Sequence, residues 1–147
     1  MATIYNEIMI SSDSGKIWDI LTDLELLEPY DPTVRKSVLI SSQKARVGAA
    51  RKVDMADGKN WFEERVTRFE PGNVLTIELT ACSFPVERLS HSYSFEQVGS
   101  QTKVIQVMDY TVKFGLFGKL IDALMIKKQS DAGIKKFMSG LKSIAEK

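Results

Sequence analysis

The chain has a single cysteine, Cys82, and a single histidine, His91. One cysteine excludes an intrachain disulfide and a thiolate metal cluster within the chain, and one histidine excludes a His-rich zinc site. Charge of one sign is also missing: 20 basic residues against 19 acidic ones leave a net charge of +1. Nucleic-acid binders of the usual kind carry a basic excess, so no nucleic-acid partner is expected. No apolar run approaches the ~18 residues that span a bilayer, so no transmembrane segment is expected. Met1-Ala2-Thr3-Ile4-Tyr5 lacks the basic stretch and apolar core of a signal peptide and runs straight into a strand pattern. A cytoplasmic protein is the resulting expectation. No Ser-His-Asp order, phosphate-binding glycine loop or metal-ligand spacing occurs, and neither a cofactor nor a metal is expected.

What is present is a long amphipathic pattern at the end of the chain. From Gly115 to Lys147 there is no proline, and apolar residues recur every three to four positions: Phe117, Leu120, Ile121, Leu124, Met125, then Ile134, Phe137, Met138, Leu141, Ile144. Some 30 helical residues make a rod of roughly 45 Å. The two stripes do not align on a helical wheel, and Lys127 to Gly133 lies between them. Either the helix kinks near Ser130 to Gly133, or its halves cover different things. Lys127-Lys128 and Lys135-Lys136 read as its solvated face. Mid-helix Gly133 and Gly140 point to close packing or a bend, since each costs ~1 kcal/mol against Ala.

The remainder reads as strands. Thr3 to Ile10 is the first, with Asn6 interrupting the apolar parity of Ile4, Ile8 and Ile10. Ser12, Asp13 or Ser14 caps a helix holding Ile17, Trp18, Ile20, Leu21 and Leu24. A second helical turn is expected over Leu24 to Glu28, ended by Pro29 and Pro32. Strands follow at Val34 to Ser41, Ala50 to Met55, Asn60 to Phe69, Val74 to Ala81, Val86 to Phe95 and Thr102 to Val112. Asp57-Gly58 is the strongest hairpin signal, and Glu70-Pro71-Gly72-Asn73 is a plain turn. The cleanest alternation is Leu89-Ser90-His91-Ser92-Tyr93-Ser94-Phe95, with bulky residues on one face and serines on the other. Hairpin-linked strands make an antiparallel sheet, and a long helix with one apolar face must lie on it. The 147 residues fit one domain, 1–147, with a single core.

This order of residues resembles the START-like (SRPBCC) superfamily, in its polyketide cyclase/dehydrase-like branch. The resemblance rests on Ile8-Met9-Ile10-Ser11-Ser12 followed by Ile17-Trp18-Asp19-Ile20-Leu21-Thr22-Asp23, then Val47-Gly48-Ala49. It continues through Trp61-Phe62-Glu63-Glu64-Arg65-Val66, Glu70-Pro71-Gly72, Tyr93-Ser94-Phe95, Gly99 and Thr102-Lys103-Val104, and closes on Leu141-Lys142 and Glu146. It implies an α+β helix-grip fold: a curved seven-stranded antiparallel sheet wrapped around a long C-terminal helix, with two short helices after the first strand. It also implies a hydrophobic cavity between sheet and helix. Such a family includes lipid carriers, hormone receptors, aromatic cyclases and co-chaperones.

Strand parity supplies the expected wall of that cavity: Val53 and Met55; Ile77 and Leu79; His91 and Tyr93; Gln106, Met108 and Tyr110. The resemblance turns Phe62, Glu64 and Val66 inward, and Leu124 joins the wall from the first helical stripe. The wall is apolar with a few polar groups, the usual composition of a small-molecule site. Glu64 in such a place is expected to have a raised pKa, or to pair with an inward partner such as His91 or a tyrosine. His91 is either an acid–base group or a wall histidine bonded to a neighbour. Tyr93 and Tyr110 either polarise a ligand carbonyl or pack with satisfied hydroxyls. Three functions follow: a binding protein for a lipid or aromatic polyketide-like molecule, a cyclase or dehydratase using Glu64, His91 and a tyrosine, or a protein-interaction module.

Overall fold

The computed structural model describes residues 2–113 and 116–147, with side chains of the last helix described from Leu124 onward. Seven strands, β1 (Ala2–Ile10), β2 (Val34–Leu39), β3 (Ala50–Met55), β4 (Trp61–Glu70), β5 (Val74–Cys82), β6 (Val86–Val98) and β7 (Gln101–Val112), form one sheet. All neighbouring pairs are antiparallel, in the order β1-β7-β6-β5-β4-β3-β2. Hairpins link consecutive strands from β2 to β7, and β1 returns to pair with β7 at the far edge. Register shifts between Glu63 and Glu64 and between Val66 and Arg68 interrupt the β4–β5 ladder; such bulges bend a strand and tighten its twist. This is the helix-grip arrangement expected from the sequence.

Two helices are seen among the described residues, α1 (Ser14–Thr22) and α2 (Leu116–Ala145). Of the three candidate caps, Asp13 is the one used: its side chain accepts the Lys16 N–H at 2.8 Å. α1 buries Ile17, Trp18, Ile20 and Leu21, and Trp18 meets the rings of Phe69 and Phe95 edge-on at 5.1 and 5.9 Å. The second short helix expected over Leu24 to Glu28 does not form. Asp23 ends α1 in extended backbone, and the segment makes separate turns, Leu26 N–H to Asp23 O and Tyr30 N–H to Leu27 O. The span between Asp23 and Pro29 is too short to repay helix nucleation.

α2 runs without interruption through Ser130 to Gly133. Within its described part, Leu124 and Met125 are exposed, whereas Ile134, Phe137, Met138 and Leu141 are buried. Phe117, Leu120 and Ile121 lie outside the described side chains. The helix packs on β1, β7 and α1. Asn6, the break in the β1 pattern, donates to Asp131 Oδ1 of α2 at 3.0 Å. At the end of α2, Lys142 donates to Met9 O at 2.9 Å, and Glu146 accepts the Ser11 N–H at 2.9 Å. Both lysine pairs of α2 are exposed.

Candidate functional site

Period-two alternation puts every second strand residue on the inner face, and the cross-strand register lines these residues up in rows. Val66, Ile77, His91, Met108 and Ile4 make one row. Leu75, Tyr93, Gln106 and Asn6 make the next. Arg51, Glu64 and Leu79 stand on the other side of the first row, where Leu89 pairs with Tyr110. The outward serines behave as the pattern requires: Ser92 Oγ meets Thr76 Oγ1 across strands at 3.0 Å.

Of the expected wall residues, Val53, Glu64, Ile77, Tyr93, Gln106, Met108 and Tyr110 are buried, while Phe62, Leu79 and His91 are half-buried against the core. Met55 is half-buried at the end of β3, opposite Val34, and stands apart from the core cluster. Leu124 is the correction. It is 71% exposed and lines a surface groove of about 580 Å³ with Thr3, Tyr5, Lys127 and Lys128. Met125, the next residue of that stripe, is exposed as well. A second groove, about 510 Å³, lies between Pro29, Tyr30 and Pro32 and the Lys135–Ser143 face of α2.

Glu64 is paired, and its partner is Arg51. The guanidinium Nε donates to Glu64 Oε1 at 2.6 Å, with both side chains more than nine-tenths buried. Arg51 Nη1 reaches on to Leu24 O at 3.4 Å. Burial works against the Arg51 charge, but the Glu64 carboxylate together with the neighbouring Tyr30 and Tyr93 more than offsets it, and the pKa stays above the usual guanidinium value. Sequence reasoning overlooked Arg51, although two signals pointed to it. It shares the parity of Val53, and it stands as far before the Asp57-Gly58 turn as Glu64 stands after it.

His91 has a different partner. Gln106 Nε2 lies 2.6 Å from its Nδ1. With the amide nitrogen assigned to face the ring it donates to Nδ1, and that assignment puts the ring proton on Nε2. Burial holds the imidazole below its ordinary pKa; the Glu64 carboxylate resists that shift and the Arg51 guanidinium adds to it. His91 is thus neutral at pH 7, and it stacks on Tyr93 with ring centroids 6.4 Å apart.

Two loop residues complete the polar ground, and no strand periodicity announced either. Tyr30 is buried and, like Tyr93, packs on Phe137, at 5.5 and 5.8 Å respectively. Burial raises the pKa of both phenols, which stay protonated. Asp31 is buried too, and its Oδ1 accepts from Thr33 N and Oγ1 at 2.9 and 2.7 Å. Burial raises its pKa, an effect that the Thr33 bonds and the Arg51 charge oppose.

Two inner-face atoms, Gln106 Oε1 and Tyr110 OH, are buried from solvent with no hydrogen-bond partner. Buried polar atoms in folded proteins are nearly always paired. Both belong to β7, four residues apart, with Met108 between them. Elsewhere, Cys82 Sγ is half-buried and bonds Phe84 O at 3.3 Å. Trp61 lies under the Lys52 ammonium, 5.2 Å from the ring centroid. Among the described residues no group of His, Cys, Asp and Glu has the arrangement to hold a metal, and no helix is long and apolar enough to cross a membrane.

A family model described as polyketide cyclase / dehydrase and lipid transport matches residues 1–146. No curated protein sequence matches the chain. Solved structures share its fold at low identity. The Zhui aromatase/cyclase from a Streptomyces species superposes with a TM-score of 0.84 at 11% identity, covering 99% of this chain and 93% of that one. A START superfamily protein from Mycobacterium smegmatis gives 0.80 at 15%, over 98% and 97% of the two chains. A Thermus thermophilus protein gives 0.81 at 19%, over 97% and 95%.

Proposed function

The chain belongs to the polyketide cyclase / dehydrase and lipid transport family, and on that premise we propose that it holds a hydrophobic small molecule, a lipid or an aromatic polyketide-like compound, between the inner face of the sheet and α2. The observation that carries this reading is the pair of unpartnered atoms on β7, Gln106 Oε1 and Tyr110 OH. A protein that filled this space with its own side chains would gain by replacing both residues with apolar ones. Polar atoms set into an apolar wall are what orient a bound molecule. The wall around them is apolar: Val66, Ile77, Leu79, Leu89 and Met108.

The enzymatic alternative, a cyclase or dehydratase, needs a proton-transfer group in the hollow. His91 favours it to this extent: the ring is neutral, its tautomer is pinned by Gln106, and Nε2 carries the proton. The Glu64–His91 couple expected from the sequence is weakened as a device, because Glu64 bonds Arg51 and His91 bonds Gln106. Binding is therefore the favoured reading, with the interaction module last.

Native mass spectrometry of protein purified from its own host tests the proposal. The expected spectrum contains a species heavier than the chain by the mass of one small organic molecule, released on denaturation. A bare chain mass in every preparation, together with no uptake of apolar probes by calorimetry, would overturn it.

A further inference from the structure

We propose that the inner site selects an uncharged apolar molecule bearing hydroxyl groups over a carboxylate or phosphate of the same size; this rests on the ligand-holding reading above. The buried charges supply the first argument. Arg51 is the one buried basic side chain among the described residues, set against two buried carboxylates, Glu64 and Asp31. Its guanidinium is already engaged by Glu64 at 2.6 Å and by the Leu24 carbonyl. An anionic head group recruiting Arg51 would strip Glu64 of its counter-charge inside the protein, which is strongly unfavourable. It would also sit near two carboxylates of its own sign.

The unmet hydrogen bonds supply the second. Gln106 Oε1 is an acceptor and needs a donor. A carboxylate or phosphate ester has none to give. A hydroxyl can donate to Gln106 Oε1 or, at the other position, exchange a hydrogen bond with Tyr110 OH. Residues four apart on one strand are separated by ~13 Å along it, so a single hydroxyl meets Gln106 or Tyr110 but not both. The ligand that satisfies both is elongated, with oxygens toward its two ends and apolar surface against Met108 between them.

Calorimetric titration with matched probes tests this: dodecan-1-ol against dodecanoate, and 2-naphthol against 2-naphthoate, at pH 8. The hydroxyl member of each pair is expected to bind at least tenfold more tightly. Gln106→Leu and Tyr110→Phe are each expected to shrink that ratio; Tyr110→Phe changes one atom and guards against a variant that fails to fold. Glu64→Gln releases Arg51 and is expected to turn the preference toward the carboxylate, an effect no general loosening of the fold would produce. Equal or tighter binding of the carboxylates by the unaltered protein overturns the selectivity while leaving the ligand-holding reading in place. Binding of none of the four overturns both.

Discussion

Gly140 of α2 lies against the Tyr30 main chain so closely that a Cβ there would sit 1.7 Å from the Tyr30 carbonyl oxygen and 2.8 Å from its carbonyl carbon. The helix thus touches, backbone to backbone, the loop that delivers Tyr30 and Asp31 to the site. Gly133, one and a half to two turns earlier in the same helix, would meet nothing within 4 Å.

These two glycines should respond oppositely to alanine. Gly133→Ala gains helix propensity with no clash and should stabilise the protein by up to ~1 kcal/mol. Gly140→Ala forces backbone apart and should cost roughly 2–3 kcal/mol, lowering Tm by about 5–10 °C. Thermal unfolding followed by circular dichroism reads both. Equal shifts of the same sign would refute the close approach.

The Arg51–Glu64 pair should show strong coupling. Arg51→Met or Glu64→Leu alone leaves a buried charge unmatched and should cost ~3–5 kcal/mol. The double variant removes both charges at similar volume and should recover most of that loss. Urea denaturation of the four proteins completes the cycle, and additive losses would mean the pair does not interact.

His91 is the only histidine, so its imidazole signals in an NMR titration need no assignment. Its midpoint should fall below the ordinary value of ~6.5, and the ¹⁵N shifts of the neutral ring should place the proton on Nε2. The sign for stability follows from the depressed folded pKa. The unfolded chain takes up the proton first as pH falls, so the contribution of neutral His91 is complete above ~6.5 and is lost as pH falls toward the folded value. His91→Phe should lack this part of the pH dependence. A titration midpoint at or above 6.5 would contradict the burial of the ring.

Asp13 is the cap of α1, whereas Ser12 and Ser14 are bystanders. Asp13→Ala should therefore destabilise by ~1 kcal/mol, with Ser12→Ala within a few tenths of wild type, both measured by chemical denaturation. A larger loss at Ser12 would reassign the cap.

The strand pattern was legible almost residue by residue, because alternation in a half-buried strand is imposed by the backbone itself. Leu89 to Phe95 declared its inner face without help, and the β7 row of Gln106, Met108 and Tyr110 did the same. Arg51 was legible and overlooked: its parity and its distance from the Asp57-Gly58 turn both placed it opposite Glu64. Tyr30 and Asp31 were not legible. Loop residues carry no period, and only the closure of the loop onto α2 brings them to the site.

The sequence by itself determined the seven strands, the order of the hairpins, the long terminal helix and the inner faces of β5, β6 and β7, since each follows from local geometry and spacing; on β4 neither parity was clean, and its inward set came only from the family resemblance. Only the tertiary structure decided that Glu64 pairs with Arg51 rather than His91, that His91 pairs with Gln106, and that Leu124 faces solvent. Those outcomes depend on which of several polar side chains on the inner face come within bonding distance once the strands pair, and on the rotation of α2 about its axis. No repeat within one element encodes either.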